Sequence, residues 1–412
     1  MSPNYFVLFF GCGYVALGFR ELELRILKLI PLSAPVLNGN EWKYIKECLD
    51  TAWVSSAGKF VDTFEEKIAG YTGAKHAVAC VNGTSALHIS LIVSGVQPGD
   101  EVLVPTLTFI SPVNTIRYTG SEPVFFDADE YYNIDVEKLS DFIKQETEFR
   151  NGNSYNKTTG RRIAAIIPVH VFGNAVNLEP AAPLLKERNI TIIEDATESL
   201  GTRYTQGTYN GKHTGTVGDL GCISFNGNKI ITTGGGGAII TDNDDLAEKA
   251  RHLTTQAKDD DVYYIHNEVG YNYRLTNLQA ALGVAQLEQL PRFLGAKKQN
   301  FNLYKSRLSG IDGLALAESP CYAGNNHWMY PLQIDNTVYG RTRDELIKHL
   351  ANNNVQSRPV WQLNHLQKPF AGCQSYRIDN AHALLEKTVN LPCSVNLTEQ
   401  EIDTVINALR NE

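Results

Sequence analysis

Lys229 is the residue whose setting points most directly to chemistry. It lies in Ser224–Gly237, SFNGNKIITTGGGG, between an apolar strand expected over Leu220–Phe225 and a run of four glycines. An amine held at the end of a buried strand is desolvated, which lowers its pKa, and a less protonated amine can attack a carbonyl to form a Schiff base. Four consecutive glycines let the backbone approach closely whatever sits beside that amine. Taken alone, the stretch also reads as a solvated lysine followed by a flexible loop. Its meaning therefore depends on what the rest of the chain places nearby.

Three other stretches bear on that question. Ile190–Gly201, ITIIEDATESLG, puts Asp195 at the end of an apolar, β-branched strand, a costly place for a carboxylate without a cationic partner. A protonated pyridine nitrogen is such a partner, and the carboxylate would keep that ring electron-withdrawing; a helix N-cap aspartate is the competing reading. After Val81 comes NGTSAL, in which Gly83 permits a tight turn and Thr84 or Ser85 caps a helix whose first NH groups would hold a phosphate dianion. An ordinary capped helix would look the same. After Pro105 comes TLTFIS, which sets Phe109 at a sheet edge, to stack on a flat ring or to pack in the core. Together these are the parts of a pyridoxal phosphate site.

The elements that must position them alternate with few breaks. Strands are expected over Ala77–Val81, Glu101–Pro105, Pro123–Asp127, Ile163–Phe172 and Ile190–Glu194. Helices are expected over Ser85–Val93, Ser111–Tyr118, Val136–Gln145 and Glu179–Arg188. Such alternation predicts an α/β fold with a mostly parallel sheet, and open sheets of this kind bind ligands at the carboxyl ends of their strands. After the hairpin partner strand Ala238–Thr241 and a helix over Asp244–Gln256, a long helix, Leu278–Leu290, is expected to stop at Pro291. The expected organisation is a large cofactor-binding domain over 31–290 and a smaller C-terminal α+β domain over 291–412.

At 412 residues, 43% hydrophobic and 20% charged, the composition is that of an ordinary globular protein, and a net charge of −8 argues against nucleic acid as a partner. Seven scattered cysteines with no C-x-x-C pair read as reduced thiols rather than a disulfide frame or a metal site, and no metal is expected. Residues 1–30 differ in character from the remainder of the chain. Tyr5–Phe19 is apolar but short for a membrane span, without a basic flank or a convincing cleavage site, and Arg20–Ile30 has the pattern of an amphipathic helix. This segment is expected to stand outside the core, with membrane association as the lesser alternative and the cytoplasm as the expected location.

From about Ile30 to Leu409 the sequence resembles the pyridoxal phosphate-dependent nucleotide-sugar aminotransferases of the DegT/DnrJ/EryC1/StrS family. The resemblance is carried, in order, by NGTSAL, PTLTFIS, PVHVFGN, EDATESLG, GDLGCISFNGNK, TTGGGG, GYNYRLTNLQAALG and LPCSVNLTEQEI. It implies the type I aminotransferase fold. Within the family, SFNGNKIITTGGGG and the polar insertion Glu148–Arg162 look most like the branch that aminates UDP-linked 4-keto-6-deoxy-N-acetylhexosamines on the bacillosamine and legionaminic acid routes.

The resemblance also implies roles. Lys229 matches the lysine that forms the Schiff base with the cofactor, and Asp195 the acid paired with the ring nitrogen. Thr84, Ser85 and Ser224 match phosphate ligands, and Phe109 the aromatic on the pyridine face. Asn272 matches an asparagine that reaches the phosphate from the neighbouring subunit of a homodimer with shared active sites. Glu198 stands where many relatives have glutamine near the cofactor 3-oxygen, and Gly235 where many have glutamate. Relatives that dehydrate sugars have histidine at the position of Lys229, so transamination is expected, with L-glutamate as donor and 2-oxoglutarate as product. His327, Trp328, Arg358 and Trp361 are candidate substrate contacts, although packing explains the aromatics equally well. Two alternatives stay open: a GDP- or dTDP-linked ketosugar as substrate, and a non-catalytic nucleotide-sugar-binding or regulatory protein, which would be expected to lack the lysine or the aspartate.

Overall fold

The computed structural model describes residues 29–260 and 262–410, together with the backbone of a hairpin formed by Phe6–Phe10 and Gly13–Leu17. The helix expected over Arg20–Ile30 lies outside the described residues as far as residue 28. Ile30 itself is built into the fold. Its side chain is 4% exposed, its N–H donates to the Asn354 carbonyl at 2.9 Å, and its carbonyl accepts from the Gln356 N–H at 2.9 Å. Among the described residues no helix is long and apolar enough to cross a membrane.

The main sheet is built from β1 (His76–Cys80), β2 (Glu101–Pro105), β3 (Glu122–Phe126), β4 (Arg162–Ile166), β5 (Thr191–Asp195), β6 (Leu220–Ser224) and β7 (Gly237–Thr241). Their spatial order is β3-β2-β4-β5-β6-β7-β1, and only β7 runs against the others. β2, β6 and β7 are buried at every position, which is why they read as continuous apolar runs rather than alternating ones. Helix α1 (Gly83–Val93) is apolar on all sides because it packs between β6 and β7 on one side and helices Ile110–Tyr118 and Asp244–Thr254 on the other. The fold is thus of the α/β class with a mostly parallel sheet.

Three expected elements end elsewhere. β4 stops at Ile166 instead of continuing to Phe172: Pro168 has no N–H for the ladder, and Val171–Gly173 forms a 3-10 turn with Phe172 in the left-handed region at φ 56°. The helix expected over Glu179–Arg188 shrinks to Ala182–Glu187, opened by Pro183. The long helix does not stop at Pro291. It runs from Asn277 to Leu308, and the expected domain division at Leu290 falls inside it. Burial on both sides of the proline, of Val284 and Leu290 before it and of Phe293, Phe301 and Tyr304 after it, offsets the lost backbone bond.

The C-terminal part builds a four-stranded antiparallel sheet from Leu314–Leu316, Tyr330–Ile334, Thr388–Leu391 and Arg358–Pro359. It is also tied to the main sheet, since Ser375–Tyr376 adds a parallel strand beside β3. Immediately after β3, the buried Asp127 caps helix Asn380–Lys387 from a distance: its carboxylate accepts from the N–H groups of Asp379, Asn380 and Ala381 at 3.0, 2.9 and 2.8 Å and from Lys138 Nζ at 2.6 Å.

Candidate active site

The carboxyl ends of β1, β2, β5 and β6 open on one cavity of about 310 Å³, into which the chain brings Thr84, Phe109, Asp195, Glu198, Ser224, Lys229 and Trp328. Strand alternation explains how Asp195 comes to face it. Glu194 and Asp195 lie on opposite faces of β5. Glu194 is fully buried and accepts from the N–H groups of Gly215, Val217 and Gly218 at 2.9, 2.7 and 2.6 Å. It also lies 2.8 Å from His170 Nε2. His170 Nδ1 accepts from the Val176 N–H at 3.0 Å, so the network assigns the ring proton to Nε2, which donates to Glu194. The backbone of the PVHVFGN segment meanwhile bonds Asp195 on both sides: Asp195 N–H donates to the Pro168 carbonyl at 2.8 Å, and His170 N–H to the Asp195 carbonyl at 3.1 Å. Asp195 therefore sits on a strand end that cannot swing.

The charges in this cavity are under tension. Burial raises the pKa of Asp195, a shift only partly offset by Thr197, whose N–H donates to Oδ1 at 3.1 Å, and by Lys229. Burial lowers the pKa of Lys229 against the opposing pull of Glu198 and Asp195. Burial likewise pushes Glu198 up to about 7; its Oε2 accepts from the Phe172 N–H at 2.8 Å while Oε1 lies 3.8 Å from Lys229 Nζ. A buried carboxylate with a raised pKa at one position and a desolvated amine at another are what a bound cationic ring and a carbonyl carbon would each relieve.

A phosphate cradle lies at the N-terminus of α1. Asn82 caps it, its side chain accepting from the Ser85 N–H at 2.7 Å, and the hydroxyls of Thr84 and Ser111 meet at 2.5 Å. Two glycines make the cradle tight. A Cβ on Gly83 would come within 2.9 Å of Ser224 Cβ, and one on Gly237 within 2.5 Å of the Asn82 backbone. Helix N–H groups, two hydroxyls and Ser224 for a phosphate, Asp195 for a ring nitrogen and Lys229 for a carbonyl carbon thus converge on one cavity, so the residues present fit pyridoxal phosphate.

Not every candidate arrives there. Ser85 is buried one position further into α1 and does not line the cavity. Asn272 is exposed, in a bridge with Thr255, and is outside the cavity of its own chain. His327 is turned away, stacked on Phe301 at 4.4 Å between ring centroids, and Arg358 is exposed with its guanidinium on the Ser357 carbonyl. Neither lines the cavity, and the His327 backbone is left-handed at φ 52°. Trp328 and Trp361 do line it, while Phe109 stands 53% exposed at its rim. Ser111, Thr197 and Asn82 line it too, though the sequence alone singles out none of them. Ser111 was legible in principle, since it follows β2 at a helix start as Thr84 follows β1.

The sequence signature of the DegT/DnrJ/EryC1/StrS aminotransferase family matches residues 35–410, and the chain belongs to that family. It is a pyridoxal phosphate-dependent sugar aminotransferase of the α/β class. Among its relatives, the GDP-perosamine synthase of Caulobacter vibrioides is 40% identical over 385 residues, covering 93% of this chain and 98% of the relative. The GDP-perosamine synthase of Escherichia coli O157:H7 is 34% identical, covering 91% and 96%. A DegT DnrJ EryC1 StrS aminotransferase from Brucella abortus superposes with a TM-score of 0.79 at 27% identity, over 90% of this chain and 95% of that one. The two synthases are named for a GDP-sugar and not for the UDP-sugar branch, with its bacillosamine and legionaminic acid routes, that the sequence motifs led one to expect. Of the features that suggested the branch, Ser224, Asn226, Asn228 and Lys229 line the cavity, Gly237 packs on the cradle at Asn82, and Glu148–Arg162 forms a hairpin at the amino end of β4.

Proposed function

We propose that this chain transfers an amino group from L-glutamate to C4 of a GDP-linked 4-keto-6-deoxy sugar. The convergence of Lys229, Asp195 and the α1 cradle on one cavity carries the transamination reading. The two GDP-perosamine synthases favour GDP over the UDP- and dTDP-linked alternatives.

When bound, pyridoxal phosphate supplies the carbonyl with which amines condense and a ring that withdraws electrons. The chain's own groups do the rest. Thr84, Ser111, Ser224 and the first N–H groups of α1 would hold the phosphate, and Asp195 would accept from the ring N–H and so stay ionised despite its burial. Lys229, desolvated and poor at keeping its proton, takes one from the α-carbon of the amino donor and, in the reverse half-reaction, delivers one to C4 of the sugar, the carbon that receives the amine. Asn272, exposed on its own chain, would complete the phosphate site of a second copy in a homodimer.

The test offers the purified protein GDP-, UDP- and dTDP-linked 4-keto-6-deoxy sugars with L-glutamate and identifies products by mass spectrometry. Amination of the GDP-sugar with the highest kcat/KM is expected. A preference for the UDP- or dTDP-sugar would overturn the nucleotide assignment, and amination of none would overturn the reaction.

A further inference from the structure

Lys229 has an aromatic neighbour as well as an acidic one. Its Nζ stands over the indole of Trp328, 4.1 Å from the ring centroid, with Glu198 Oε1 3.8 Å away. An ammonium over an indole face is attracted by the ring quadrupole, most strongly where water is excluded, and Trp328 is 3% exposed.

The ring is held in that orientation by every polar group Trp328 has. Its indole N–H donates to the Asn228 carbonyl at 2.7 Å, beside Lys229 in the chain. Its backbone N–H donates to Asn326 Oδ1 at 2.9 Å, and its carbonyl accepts from the buried Lys297 Nζ at 2.7 Å. Asn326 in turn donates through Nδ2 to the carbonyls of Glu198 and Leu200 at 2.8 and 3.0 Å. The indole is thereby tied both to the turn that carries the lysine and to the turn that carries the glutamate. Burial alone requires partners for these groups; what it does not require is that one partner lie on the turn that carries Lys229 and another bond the turn that carries Glu198.

We propose that Trp328 is a positioning residue for Lys229: its ring face and Glu198 form the station that holds the amine once it has taken a proton, so that the ammonium and its proton stay within reach of the site. This goes beyond the candidate substrate contact expected from sequence, and it rests on Lys229 being the amine that bonds the cofactor. The charged groups that face the amine are Glu198 and Asp195; Lys297 lies behind the tryptophan on its carbonyl.

The experiment replaces Trp328 by tryptophans carrying one, two and three ring fluorines, which drain the quadrupole while keeping the size and the indole N–H. In the full-length protein stripped of cofactor, the pH midpoint of Lys229 acetylation by acetic anhydride is followed by mass spectrometry, with circular dichroism checking the fold. Because the ring favours the ammonium, each fluorine is expected to move the midpoint down, by roughly one pH unit across the series. A Trp328→Phe variant, which keeps a weaker face without the N–H, is expected below wild type as well. Reloaded enzymes are expected to lose kcat with KM for the sugar nearly unchanged. A midpoint that stays flat across the fluorinated series, or rises, overturns the proposal whatever Trp328→Phe does. Failure of the underlying assignment shows separately, as a Lys229→Ala protein that keeps its visible cofactor absorption.

Discussion

The unusual residue in the cavity is Glu198. Its carboxyl is buried at 4% exposure, beside a lysine that the same burial has made a weaker base. Burial raises its pKa from an ordinary 4.5 to about 7, so the folded, cofactor-free protein binds its proton more tightly than the unfolded chain does. The stability this confers is complete below about pH 4.5 and is lost as pH climbs through about 7. Glu198→Gln removes the titration while keeping the acceptor for the Phe172 N–H. In cofactor-free protein, the melting temperature of wild type should therefore fall relative to Glu198→Gln between pH 5 and 8, as measured by calorimetry in matched buffers. A constant difference across that range would mean that Glu198 is already ionised at pH 5 and that Lys229, not burial, governs it. The distinction matters for catalysis, because a glutamate that is half-protonated near neutrality can exchange a proton with Lys229 where the glutamine of other relatives cannot.

At the scale of elements, the site depends on two joints where backbone is held against backbone or carboxylate. The first is β7 against the start of α1, where a Cβ on Gly237 would meet the carbonyl carbon and oxygen of Asn82 at 2.5 Å and the amide nitrogen of Gly83 at 2.7 Å. No side chain there can give way. Gly237→Ala should displace the cradle, cost about 1–3 kcal/mol in urea unfolding and weaken cofactor binding at least tenfold, with spectroscopic titration as the measure. The second joint is Asp127, which ties the end of β3 to helix Asn380–Lys387. Burial pushes its carboxyl pKa up, but the Lys138 bond and three amide donors outweigh it, and the net shift is downward. Its contribution is therefore present above the ordinary aspartate range and lost as pH falls through the depressed value. Asp127→Asn should cost on the order of 3 kcal/mol at pH 7, and the gap to wild type should narrow below about pH 4 in denaturant titrations. The strand ends at these joints were readable from sequence because the apolar runs, the glycines and the acids that follow them are local signals. The elements misread were those whose ends depend on tertiary contacts: Pro291 continues a helix because both sides of it are buried, and Phe172 leaves its strand because its N–H is used by Glu198. His327 and Arg358 were misplaced for a related reason, since nothing in the order of residues says which way a side chain leaves a turn.

Over the whole molecule, the cavity of a single chain holds the lysine, the aspartate and the start of α1, but not Asn272, which is exposed on the segment that follows Tyr271. In the stretch that leads to it, Val262, Tyr263, Tyr264 and Val269 are each more than 70% exposed. Exposed apolar side chains of this kind suit contact with a partner. If that partner is a second copy, Asn272 of each chain belongs to the site of the other, and this can be tested without knowing the nucleotide. A Lys229→Ala chain and an Asn272→Asp chain are each expected to be inactive as pure proteins, the second because a carboxylate would face the phosphate. Unfolded together and refolded, they should form mixed dimers in which one site carries both defects and the other carries neither. Random pairing makes half the dimers mixed, with one sound site of two, so the mixture should recover about one quarter of wild-type activity under two-fold symmetry. Each variant refolded alone supplies the baseline. Recovery no greater than the sum of the two baselines would place Asn272 in the service of its own chain, or of none.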